Sequence, residues 1–423
     1  MIKKSLTLGI SLLNGILFII LCVFPAQAEI TIPGADGSDG AFQITKTTVI
    51  DLSEAVTGDW NTNNSANAGK GIYDPKKWAV IFKYESVAID AGATLSFSNH
   101  PSRAPVVWLV NGNVTINGTV SLNGQDYQSP PAISEPGPGG FRGGSGSYRT
   151  TQGGAGFGPG GGIFDTNHGG GGSYGTGQSP YGNQSLIPLI GGSGGGGNYS
   201  LAGGAGGGAI LIACQSTLSI NGVIQSNGGS GFTITAPNYP RCGSGSGGGI
   251  RLICNTLYGS GKIIADGGYS GSKGGMGRIR IERVINDNTF EDPLPGASIV
   301  NLTSETTAIL WPPYNAPYNA PKVRIISIGD KEVPEDPRAS FGTYGADVAL
   351  PQVSSKQIVV ETTNVVEESQ VVVRVTPRFN YNFSIVNAVV ENVESEDPLV
   401  IRWVADLPVN VGYSAVQVKV IRP

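Results

Sequence analysis

Fifty-one of the chain's 65 glycines fall between residues 111 and 280. A segment so rich in glycine loses more backbone entropy on ordering than any other composition. It also offers few side chains with which to build a core. Two outcomes are open to it. It can remain as loose surface loops, or it can pack backbone against backbone, an approach that only a missing Cβ permits. In the second case its N–H and C=O groups must pair between segments. Tyr148, Phe157, Phe164, Tyr174 and Tyr181 punctuate the region and can anchor it by burial. Their recurrence favours partial order. There is no G-X-Y period, which excludes collagen. There is no G-x-x-x-x-G-K-[ST] string either, so the glycines are not a phosphate loop.

A repeat lies within the glycines. Gly208–Cys214, Gly248–Cys254 and Gly277–Glu282 share an alternating apolar pattern, and 105–111 is a glycine-poor copy. Second strands follow at 114–120, 218–224 and 257–263, each broken by a glycine (Gly118, Gly222, Gly261). Each copy then reaches Asn123-Gly124, Asn227-Gly228 or Asp266-Gly267, read as turns. The alternation predicts strands with one buried face. Uneven spacing between copies makes the strands the fixed part and the glycine stretches insertions. The expected fold is therefore all-β, a parallel β-solenoid with long glycine-rich loops. Stacking predicts apolar columns Val107–Ile210–Ile250–Ile279 and Leu109–Ile212–Leu252–Ile281. An antiparallel sandwich with glycine-rich loops is the competing arrangement.

This pattern resembles right-handed parallel β-helix proteins. Residues 30–285 are more closely similar to a group of uncharacterised secreted glycine-rich bacterial proteins. The similarity runs through 37–42, 71–80, 104–110 and 135–144. It implies export and a β-helix-like fold, and it brings no activity with it.

The ends read differently. Lys3 and Lys4 precede an apolar run from Leu6 to Phe24, then Ala26-Gln27-Ala28. This is the pattern of a secretory signal peptide over 1–28, with cleavage after Ala28. No later stretch is apolar enough for a second span. Residues 29–84 read as an N-terminal β segment and 85–285 as the glycine-rich β-solenoid. Residues 286–321, with the repeated Pro-Tyr-Asn-Ala unit, read as an extended proline-rich linker. Residues 322–423 carry short β-branched strands at regular spacing, the signature of an immunoglobulin-like β-sandwich without its disulfide.

Little in the chain suggests chemistry. A net charge of −4 excludes a basic nucleic-acid footprint. Cys214, Cys242 and Cys254 remain after export; buried thiols are favoured over a bridge, and their pairing stays open. Asp165, His168 and Ser173 lack the elbow and spacing of a hydrolytic triad. Asp126, Asp165 and Asp266 are the loop acids a glycosidase could use, but nothing brings them to one face. Arg251, Arg278 and Arg280 read as a solvated strand face. Asp36-Gly37-Ser38-Asp39-Gly40 holds oxygen ligands at short spacing yet lacks a complete calcium loop, so a tight turn is expected. No catalytic, cofactor or metal residue is assigned. The expected role is an exported, non-enzymatic surface or extracellular protein: structural, adhesive or glycan-binding. Its partners would be polysaccharide or cell-surface components. The alternative is a polysaccharide-active β-helix enzyme, a lyase or glycoside hydrolase.

Overall fold

A computed structural model describes residues 30–67, 69–232, 240–269, 271–290, 297–310, 321–338, 345–351, 355–380, 382–409 and 411–423. The signal-peptide residues, 1–28, and the Pro-Tyr-Asn-Ala repeat, 313–320, lie outside them. The described residues contain no α-helix, only 3₁₀ turns at Leu52–Glu54 and Ser65–Asn67. No helix among them is long and apolar enough to cross a membrane.

The expected solenoid is not what forms. Six parallel strands close on one another as a barrel: Ala79–Ile89, Val106–Val110, Ala209–Cys214, Gly249–Gly259, Thr217–Ile220 and Val114–Ile116. Closure follows from strand length. Ala79–Ile89 and Gly249–Gly259 have 11 residues each, enough to pair with two short strands in succession. Val80–Tyr84 pairs with Val106–Val110 and Val87–Ile89 with Val114–Ile116. Gly249–Ile253 likewise pairs with Ala209–Ala213, and Thr256–Tyr258 with Thr217–Ser219. The strands Arg278–Asn288 and Ala297–Asn301 extend the sheet from the ring. A second parallel sheet runs Lys262–Ile264, Val223–Gln225, Thr119–Ser121, Thr94–Ser98, Thr48–Asp51. Its inward residues Leu95, Val120, Ile224 and Ile263 join the barrel's core.

The columns form, with one slip. Ile210, Ile250 and Ile279 are aligned as expected, but their partner is Val106, not Val107. Ile212 pairs with Trp108, not Leu109. A one-residue slip turns every side chain to the other face. Val106 and Trp108 therefore enter the inner core. Val107 and Leu109 enter a second core outside the barrel, with Leu211, Ile30, Ile32, Tyr174 and Leu186. The expectation of one buried face is corrected as well: Val106–Val110 and Ala209–Cys214 are buried at every position. That is the usual condition of strands in parallel sheets.

The glycine segments are ordered. Apart from isolated bridges such as His168–Arg241 and Gly243–Ser272, their described residues form no strands, yet they are largely buried and hydrogen-bonded to one another. Residues 191–197 show the rule. Gly192 and Gly195 donate to Gly207 and Gly204 of one neighbour. Gly194 and Gly197 donate to Phe157 and Gly154 of another. Gly196 donates to Gly170, while Gly195 and Gly196 accept from Gly144 and Gly243. Bonds to a given neighbour recur every three residues, the period of a polyproline-II helix. Each segment thus pairs in several directions at once, where a β-strand pairs in two. A Cβ on Gly243 would lie 1.8 Å from Gly170 O, and one on Gly195 2.3 Å from Gly243 C. Phe157, Phe164, Tyr174 and Tyr181 are buried as expected of anchors; Tyr148 is half-buried. Gly124, Gly228 and Gly267 do not close turns. They mark where strands run into this bundle, with Cβ positions 2.4, 2.1 and 2.1 Å from the carbonyls of Ala205, Gly245 and Gly274.

The C-terminal strands form one antiparallel sheet of seven, curled as a half-barrel, instead of the two facing sheets of an immunoglobulin-like sandwich. The 13-residue strand Ser384–Glu396, with its register shifts, carries the curl. Ile358, Val360, Val371, Val373, Ile401 and Trp403 fill its concave core. This sheet grips the glycine bundle through Arg374, which is 5% exposed. Its guanidinium donates to the carbonyls of Gly156 (3.2 Å), Gly161 (3.0 Å) and Pro159 (3.3 Å) and lies 3.6 Å over the Phe383 ring. Asn380 and Asn382 add bonds to Gln152 and Phe164. Burial holds the Arg374 guanidinium down to about 10.

Candidate functional site

Extended glycine segments must reverse somewhere, and the reversals collect. Tyr127 N donates to Ser230 O at 2.8 Å, and its ring meets Phe232 at 4.9 Å. Ala202 N donates to Gln128 O, Ser147 N to Asn198 O, and Tyr199 N to Thr166 O. Arg241 N donates to Asn167 O, and Ser244 N to Ser272 O. These bonds join four turns, around 127–131, 147–151, 165–168 and 198–201, at the end of the bundle away from the strands, and hold Ser272 to Ser244. Three of the turns carry a tyrosine, and Tyr269 is near Ser272 in the chain. Tyr199 and Tyr269 are 68% and 78% exposed. Ser, Asn, Asp and Thr recur beside them, together with Gln128, Pro130, Pro131, Arg149, His168 and Lys273. Tyr with Ser, Gly and Asn is the composition of adaptable recognition loops.

The sequence acids are distributed, and the carboxylates of Asp126 and Asp165 are tied to backbone. Asp126 Oδ1 accepts from Ser230 N at 2.7 Å. Asp165 Oδ1 accepts from the N–H groups of Asn167 and His168, which holds its carboxyl below the ordinary value. Asp266 continues a ladder in which Asn123 Oδ1 accepts from Asn227 N and Asn227 Oδ1 from Asp266 N. No pair of them is brought together by any of these bonds. Ser173 is buried and its hydroxyl accepts from Ser179 N, while His168 is exposed, so the triad residues do not assemble. The arginine face is corrected. Arg251 is buried, bonded to Glu282 at 2.8 Å and to the carbonyls of Ile309 and Leu310. Arg280 shares Glu282, and Arg278 donates to Tyr181 O.

The Asp36–Gly40 loop holds an internal cation. Lys83, 1% exposed by its side chain, places its ammonium 3.3 Å from Asp36 Oδ2 and 2.9 Å from Thr62 O. Among the described residues no group of His, Cys, Asp and Glu is arranged to hold a metal ion. Cys214, Cys242 and Cys254 are buried thiols. Burial pushes the thiols of Cys242 and Cys254 up to about 11 and about 12.

One feature escaped the sequence reading: a groove of about 510 Å³ beside the second sheet, lined by Ser96, Ser98, Asn99, Arg103, Ser121, Gln125 and Glu135 among others. Its signal was present in the strands. Ser96 and Ser98 alternate with Leu95 and Phe97, and Ser121 follows Val120, so each strand turns a polar side outward. His100 also lines it, stacked on Tyr73 at 4.0 Å with Nδ1 2.8 Å from Ser102 Oγ. Burial, with Arg338 nearby, depresses His100 to about 4. Tyr73 in turn donates to Asp336 Oδ1 at 2.5 Å, so this network ties the C-terminal part to the strands.

No protein-family profile matches the chain, and neither a curated protein nor a solved structure matches it.

Proposed function

We propose that this is an exported, non-enzymatic binding protein that presents the tyrosine-bearing end of its glycine bundle to a polysaccharide or another cell-surface component. The observation that carries the reading is the exposure of Tyr127 and Tyr199, on turns bonded to one another, together with that of Tyr269. Their rings offer flat apolar area at low entropic cost, and the neighbouring hydroxyl and amide groups offer hydrogen bonds. The bundle beneath is bonded along its length, so little ordering remains to oppose binding. Engagement of the Asp126 and Asp165 carboxylates with backbone N–H groups supports a role without turnover.

The test is titration of the mature chain with acidic and neutral polysaccharides. Replacing Tyr199 and Tyr269 with Ala is expected to weaken binding at least tenfold without altering unfolding. Polysaccharide turnover that disappears on replacing Asp126, Asp165 or Asp266 would overturn the non-enzymatic reading.

A further inference from the structure

We propose that the groove beside the second parallel sheet is a separate binding site for an uncharged glycosyl unit. It does not rest on the loop-end reading: the groove is built from strand edges and from 135–138, the start of the first glycine segment.

Three observations mark it as built. Arg103, at its wall, holds a left-handed backbone with φ 55°, a strained conformation for a residue with a side chain. Asn99 donates from Nδ2 to Pro136 O at 2.8 Å, but its Oδ1 is buried without a hydrogen-bond partner. Such an acceptor is uncommon in a native structure. Finally, Glu135 is fixed from two sides: Arg103 donates to Oε2 at 3.2 Å and Arg142 to Oε1 at 2.6 Å. Strain and preorganised charge concentrate where a ligand is to be held.

The donor set decides the ligand class. An anion entering the groove would meet Glu135, and a cation would meet Arg103, the two charged side chains on its wall, which are paired with each other. Within the wall neither finds an unopposed counter-charge. What remains is hydroxyl and amide groups from Ser96, Ser121, Asn99 and Gln125, which donate and accept on the same wall. A sugar hydroxyl does both. Phe97 also lines the groove, partly buried against Trp108. The volume is at the lower part of the range for small-molecule sites, suiting one or two sugar rings.

The experiment is a titration of the full mature chain, followed by side-chain amide NMR. The probes are short neutral gluco-, xylo-, manno- and galacto-oligosaccharides, with a galacturonate oligomer and inorganic phosphate as charged controls. A neutral sugar is expected to shift the Asn99 and Gln125 amide signals. Ser96→Ala and Gln125→Ala are expected to weaken that sugar at least tenfold with unfolding unchanged, and Tyr199→Ala to leave it unaltered. The proposal is overturned if no neutral sugar moves these signals, if only the charged probes do, or if Tyr199→Ala abolishes binding that the groove variants retain. Loss in the tyrosine variants alone would leave the loop-end reading standing, so the two failures are distinguishable.

Discussion

The barrel and the glycine bundle solve the same problem in opposite ways. Both must pair every buried N–H and C=O. The barrel pairs them within sheets and leaves its side chains to fill two cores, around Trp108 inside and Val107 outside. The bundle pairs them between segments in several directions, as Gly192, Gly194 and Gly196 do, and has almost no side chains to pack. Stability in the barrel is therefore set by apolar volume. In the bundle it is set by the absence of volume.

That contrast can be broken by single carbons. Gly243→Ala places a Cβ 1.8 Å from the Gly170 carbonyl, which belongs to backbone and cannot swing away. The expected loss is more than about 3 kcal/mol, at or beyond the upper range of overpacking. Urea unfolding reads it. Removing Arg374 is next. Arg374→Ala leaves the Gly156 and Gly161 carbonyls buried and unpaired, and should cost about 2 to 4 kcal/mol. A second, earlier unfolding step of the C-terminal sheet is the accompanying sign.

His100 provides a pH-dependent contribution. Its folded value, about 4, lies below the ordinary 6.5, so the unfolded chain binds the proton more readily. Stability from this group is complete above about pH 6.5 and is lost as pH falls toward 4, by at most about 3 kcal/mol. His100→Asn should remove the slope in that window; an unchanged slope would locate it elsewhere. In the barrel, Ile212→Val deletes one carbon and should cost only about 0.5 to 1.5 kcal/mol. An addition in the bundle thus outweighs a deletion in the core. The smallest effect is expected at the loop end, where Tyr269→Ala should change stability by less than about 0.5 kcal/mol.

How much of this was legible follows the same division. The glycine ahead of each of Ala209–Cys214, Gly249–Cys254 and Arg278–Glu282 (Gly208, Gly248, Gly277) marks true strands and their mutual register. The Val106–Val110 strand lacks that glycine and is apolar at every position, so nothing in it gives a phase, and the column slipped by one. Ring closure was invisible because it depends on the length of Ala79–Ile89 and on pairings across 104 residues, such as Ile116 with Ile220. The three-residue bonding of the bundle leaves no pattern in a run of identical glycines. The groove depends on which strands lie side by side, and Arg103, Glu135 and Asn99 meet only after that is settled.

Native-state amide hydrogen exchange across Gly191–Gly197 tests the ordered bundle most directly. The account expects these glycine amides to exchange as slowly as those of Ile210 and Ile212, opening only with global unfolding. Exchange at the rate of an unstructured chain, with the barrel amides still protected, would contradict it.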